Sequence, residues 1–224
     1  MTTAEGWTAA VRDRLAPGRL LPLGTAEDGA WITERAARQV LDGAAAAVRG
    51  VMPGLIRVGA DPDGEREAGP LPVPPGGLAP GPLRIAADFG AVAGRPLPEV
   101  SEELRAALLG VAADGIGLRV AAVDLRVTEL LDAAPEEEPA APPPGRPSPA
   151  TDDPVALAVL RVEGVAGVTD ALGPPVRRSG DALRVELAVT AGRRPLDVAR
   201  AARSAVTAAA GGATAVTVLV SELR

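Results

Sequence analysis

The heptapeptide GRPLPEV at 94–100 returns almost unchanged as GRRPLDV at 192–198. Each copy follows a run of alternating apolar residues and precedes an alanine-rich segment with helical spacing. A strand–turn–helix junction written twice at this separation marks two like units, and nothing else in the chain constrains its fold as much. LRIAADFGAVAGRPLPEV aligns with LRVELAVTAGRRPLDV with about one residue of slippage, and VTEL (127–130) aligns with VSEL (220–223).

The rest of the chain is organised around those junctions. Trp7, Val11 and Leu15 fall four apart and predict an N-terminal helical arm within residues 1–24, broken by PGRLLPLG and suited to docking over an apolar surface. GAWITERAARQVLDGAAAAVRG (29–50) reads as a helix with Thr33 as N-cap and Gly50 as stop, followed by a short strand around Leu55 to Val58. The Gly/Pro-rich residues 59–82 are expected to form a mobile excursion from a hairpin tip. LRIAADF (83–89) alternates as a half-buried strand.

A helix is predicted over 98–113, with Val100, Leu104, Leu108 and Val111 as its apolar stripe and Gly115 and Gly117 ending it. In the third strand, 118–131, Leu118 and Val120 are out of phase with Val123, Leu125 and Val127, which predicts a bulge or a two-sided strand. Residues 132–153 form a linker dominated by Pro, Ala and Glu. Beyond it come a short helix from 154, a first strand within 168–180, and a strand at 181–191. In that strand Leu183, Val185, Leu187 and Val189 oppose Arg184, Glu186 and Ala188. A helix at 195–210 and a last strand at 213–223 complete the series. The expected fold class is α+β: two tandem αββαβ units, 25–131 and 154–224, each a three-stranded sheet with two helices on one face. Sheets this small leave edges open, so the units are expected to pack together or to pair with other chains.

Composition narrows the chemistry. The chain has one Phe, two Trp and no Tyr, so its core is built from small aliphatic side chains. It has no Cys, His, Lys or Asn, which removes thiolate and imidazole chemistry, Schiff bases and P-loop lysines. A formal charge of −6 with almost no stacking aromatics argues against nucleic acid as a partner. No apolar run is long enough to span a bilayer, and MTTAEGWTAAVRDRL is acidic where a signal peptide is basic and then apolar. A cytoplasmic protein is the expectation.

Sharper chemical readings find little support. DPDGE (61–65) lacks the later acid of a calcium loop. GIG (115–117) ends a helix where a dinucleotide fingerprint would begin one. Glu102 and Glu103 are adjacent on a helix and do not face each other, and with Asp124 they form no evident acid pair. No catalytic, cofactor-binding or metal-ligating residue is assigned, and no cofactor is expected. The candidate contact residues are Arg177, Arg178, Arg193 and Arg194, two pairs placed in loops on either side of one strand. Their planar forks suit an acidic protein surface or anionic lipid, and the plainer alternative is a solvated polar rim.

The order helix, GV turn, hairpin, G-x-P-L-x-x-V, helix and V-x-V-x-x-L strand resembles the bacterial alkaline shock protein family of envelope stress response proteins. The likeness is carried by GAWITERAARQVLDGAAAAVRGV and by LRIAADFGAVAGRPLPEVSEELRAALLGVAADGIGLRVAAVDLRVTEL, and more weakly by 154–223. It departs in the turn, where the family has E-V-P-G-V and this chain has VRGVMPG and VEGVAGV, and in the insert and the duplication. The resemblance implies a non-enzymatic, membrane-proximal scaffold whose partners are further copies of itself or a membrane-anchored relative, giving an indirect association with the membrane. The same element order and the VEGVAGV turn are also similar to BON domains. That likeness implies a peripheral lipid-binding module in which the Arg pairs touch headgroups. An enzyme of unknown class is the remotest alternative.

Overall fold

A computed structural model describes residues 18–133, 148–211 and 215–224. Among them are nine strands and four α-helices in two sheets. The first half runs β1 (Leu20–Leu23), β2 (Ala30–Thr33), α1 (Glu34–Ala46), β3 (Val51–Ala60), β4 (Leu83–Val92), α2 (Leu97–Gly110) and β5 (Val120–Leu131). The second runs α3 (Pro154–Leu160), β6 (Val165–Val168), β7 (Val176–Ser179), β8 (Ala182–Val189), α4 (Pro195–Ala209) and β9 (Ala215–Leu223).

The fold class is α+β, and the duplicated order is present in three dimensions. In one half β3 runs antiparallel to β4 and β4 parallel to β5. In the other, β6 and β7 both run antiparallel to β8, and β8 runs parallel to β9. The single strand β3 is thus matched by two short strands separated by a loop at 169–175.

Equivalent residues make equivalent bonds. The amide of Val92 donates to Gly50 and that of Thr190 to Gly164, at 2.9 and 2.8 Å. Gly50 and Gly164 both hold left-handed backbone, φ 85° and 89°, which only glycine adopts cheaply. Helix α2 has Pro96 as its N-cap and α4 has Arg194, each with its carbonyl accepting from the residues three and four ahead. Proline is therefore the cap in the first copy and the first helical residue in the second, which is the one-residue slippage seen in the repeat.

The VTEL/VSEL match has a physical cause as well. Both parallel ladders are interrupted by a bulge, and the extra residue is Thr128 in β5 and Ser221 in β9. Each hydroxyl donates to the carbonyl across the ladder, Thr128 to Phe89 at 3.3 Å and Ser221 to Leu187 at 3.4 Å. A small hydroxyl residue recurs there because the bulge leaves that carbonyl in need of a donor.

Four expectations are corrected. First, residues 18–24 of the predicted helical arm are not helical, and LLPL forms β1, all four residues buried; residues 1–17 lie outside the described residues. Second, AWIT (30–33) is strand, not the start of a helix. Thr33 is the N-cap of α1 as expected, its Oγ1 accepting from Ala36 N at 3.3 Å. Third, the second sheet has six strands and not three, because β2 lies parallel to β9, β1 lies antiparallel to β2, and the expected first strand is two strands, β6 and β7, both paired with β8. Four-residue apolar strands carry too little periodicity to be told from a helix start; they form because β9 offers an unsatisfied ladder.

Fourth, residues 61–82 are packed against the fold. Leu20 and Leu78 exchange backbone bonds with this segment and β1: Leu20 N donates to Gly76 O at 3.0 Å and Leu78 N to Leu20 O at 2.8 Å. Trp31 Nε1 donates to Leu78 O at 3.0 Å, and Glu67 accepts from Ala26 N and from Arg119. Within the predicted linker, 148–153 leads into α3 with Asp153 as its N-cap, and 134–147 lies outside the described residues.

One core runs through both halves. It joins Leu41, Ile56, Phe89 and Leu104 of the first to Val159, Leu187, Ala202 and Val218 of the second. Helix α1 enters it directly from β2 and packs against both β3 and β9. Its buried face is Ala36, Ala37, Leu41 and Ala45, small enough for close approach on both sides.

Candidate interaction surface

The two sheets differ in what covers them. In the six-stranded sheet the strand β9 is flanked by β8 and β2, and Leu219 and Val220 are fully buried. Its second face is covered too. Trp31, Leu219 and Glu186 lie in one register row and are all buried, with Leu20 and Leu172 packed on them.

The alternation of β8 sets Glu186 on the face opposite Leu183, Val185, Leu187 and Val189, and that face is not left to solvent at this position. Instead the 169–175 loop folds over it: Leu172 N donates to Oε2 at 2.9 Å and Thr169 Oγ1 to Oε1 at 2.9 Å. The Ser221 hydroxyl lies 2.6 Å from that of Thr169. Burial pushes the Glu186 carboxyl above the ordinary glutamate value, and these donors oppose it without cancelling the shift. The carboxylate is a staple for the loop.

The three-stranded sheet is finished on one face only. Its helix face is core, while its other face carries Arg57, Arg84, Asp88, Asp124 and Arg126. Arg126 holds Asp88 through two bonds at 3.0 and 3.1 Å, and Arg84 reaches Asp124 at 3.2 Å as well as Asp61 and Asp63. The acids of the DPDGE turn thus hold an arginine. Arg57, Asp88, Asp124, Arg126 and Leu55, which is 42% exposed, border a shallow open depression of about 450 Å³. At the sheet's edge, no described strand pairs with the outer side of β5, the counterpart of β9. β5 is twelve residues long, and its penultimate residue, Leu130, is 72% exposed, the most exposed large apolar side chain among the described residues.

The four candidate arginines are not brought together. Arg177 and Arg178 lie within β7, not in a loop, beside the start of β8, while Arg193 and Arg194 follow its end. Three of the four are engaged. Arg178 clasps the N-cap Asp153 at 2.6 and 3.0 Å, which holds that carboxyl below its ordinary value. Arg193 reaches Glu163 at 2.6 Å, the counterpart of Arg95 binding Glu103 and the Arg49 carbonyl. Arg194 donates to Ala113 O at 2.9 and 3.2 Å, tying the second half to the first. Arg177 lies opposite Arg184 across the ladder and forms no ion pair among the described residues.

Glu102 pairs with Arg105 and Glu103 with Arg95, so neither is aimed at a cleft. No helix among the described residues is long and apolar enough to cross a membrane. No protein-family model, curated protein or solved structure matches the chain.

Proposed function

We propose that this chain is a non-enzymatic interaction protein that works by offering the first half's sheet to another polypeptide. One observation carries the reading: of two sheets built on the same strand order, the chain pairs β2 onto the outer side of β9, while no described strand pairs with the long outer edge of β5 beside exposed apolar groups. An unpaired strand of this length is a template for strand addition. The resemblance to alkaline shock proteins supports the same class of role, a scaffold near the membrane that self-associates or docks on an anchored relative. The arginine pairs give less support to a lipid-binding role, since three of the four spend their donors within the chain.

Light scattering of the full chain at micromolar concentration, alone and with a candidate relative, tests the reading. Assembly of either kind is the expected result. A strict monomer that also ignores every relative would sink it.

A further inference from the structure

We infer that the occupant of the β5 edge is a second copy of the same strand, paired antiparallel about a two-fold axis through Leu125. This rests on the reading above and specifies its partner and register. In a two-fold antiparallel pair, positions directly opposite share a face of the sheet and their residue numbers have a constant sum.

The faces of β5 are fixed by its partners in β4. Val120, Val123, Leu125, Val127 and Leu130 lie opposite Leu83, Ile85, Ala87, Phe89 and Ala91, all buried on the helix side. The bulges at 121 and 128 set the intervals at three, two, two and three residues, a spacing symmetric about Leu125. Pairing centred there sets Val120 against Leu130, Val123 against Val127 and Leu125 against itself, helix face to helix face throughout. The side chain of Leu130 then gains an apolar neighbour.

Charge selects the same register. Centred on Leu125, Asp124 of each copy opposes Arg126 of the other, and the ion-paired series Arg84–Asp124–Arg126–Asp88, in which Arg84 reaches Asp124 diagonally, alternates in sign across the junction. A slip that centres the pair on Asp124 sets Asp124 against Asp124. A slip to Arg126 sets Arg126 against Arg126. Like charges directly opposite are unfavourable, so both neighbouring registers are disfavoured. Pairing along one edge is a small interface, of the weak and reversible class.

The test is sedimentation equilibrium of the full chain from about 1 to about 500 µM, a range chosen for a weak pair. A concentration-dependent dimer is expected. Asp124→Arg alone and Arg126→Asp alone each set like charges opposite and are expected to weaken it at least tenfold. An equimolar mixture of the two variants restores opposite charges at both positions and is expected to form a mixed dimer, as is the double swap with itself. Both side chains are exposed, and the mixture supplies its own folding control. Independently of charge, Asp124→Cys and Arg126→Cys chains oxidised together are expected to cross-link to each other faster than either to itself. A monomer across the whole range overturns the pairing and self-association with it. A dimer indifferent to both reversals, with no preference in cross-linking, overturns this edge and leaves self-association standing.

Discussion

β9 and β5 are the same strand written twice, and the fold treats them oppositely. β9 has a neighbour on each side and side chains buried on both faces. Among the described strands β5 has one neighbour, and it is exposed through most of its second half. The difference is not in the strands themselves, since both carry a hydroxyl bulge within a V-x-E-L run. It comes from eight strand residues upstream: β2 pairs with β9 and not with β5, and β1 pairs in turn with β2. Completion of an edge is a property of what the chain can reach.

That contrast can be broken from either side. Trp31→Ala removes a fully buried ring and its bond to Leu78 O from the completed sheet, and is expected to cost about 3–5 kcal/mol in urea denaturation. Thr33→Val keeps the shape but strips the hydroxyl that donates to Ser221 O at 2.8 Å and caps α1, at a cost of about 1–3 kcal/mol by the same assay. Leu130→Ala on the open edge should change monomer stability by less than about 0.5 kcal/mol, because the side chain is mostly in water already. A loss at Leu130 comparable to that at Trp31, measured at low concentration, would erase the distinction between the two edges.

Glu186→Gln sharpens the contrast through pH. The native Glu186 carboxyl sits above the ordinary value of 4.5, so the folded state holds its proton where the unfolded state has released it. Its contribution to stability is whole below 4.5 and falls as pH rises through the raised value. Asp153 has the opposite sign: held low by Arg178, it supports the fold above its ordinary 3.8 and loses that support in acid. The Gln variant is therefore expected to show a flatter urea midpoint than the parent between about pH 4 and pH 8, with the acid limb unchanged. An identical decline in both proteins would show that the staple carries no pH dependence.

The strands and helices of the repeat were legible because alternation in LRIAADF and LRVELAV, and four-residue spacing in Val100–Leu104–Leu108, each run long enough to establish a period. The predicted bulge in β5 was visible as a change of phase. The LLPL and AWIT strands were not legible: runs of four residues are too short to show a period, and AWIT pairs with residues almost two hundred positions away while LLPL pairs with AWIT. The burial of Glu186 was hidden for a related reason, since alternation reports which side of a strand a residue takes and not what later folds over it. The arginine pairs stood out as adjacent charges, yet which acid each would meet depended on turns that bring Asp153 and Glu163 beside them. The bare β5 edge was foreseeable as an open edge of a small sheet, but its symmetric spacing appears only once both bulges are placed.

The ladder between residues 30–32 and 218–220 has a consequence for synthesis. β2 emerges from the ribosome early with only β1 to pair with until β9 follows, so the β1–β2 hairpin waits while the first half's own sheet, whose ladders are all nearer in sequence, can already form. The long-range closure is the late event, and the apolar hairpin is the segment a chaperone would have to shield in the meantime.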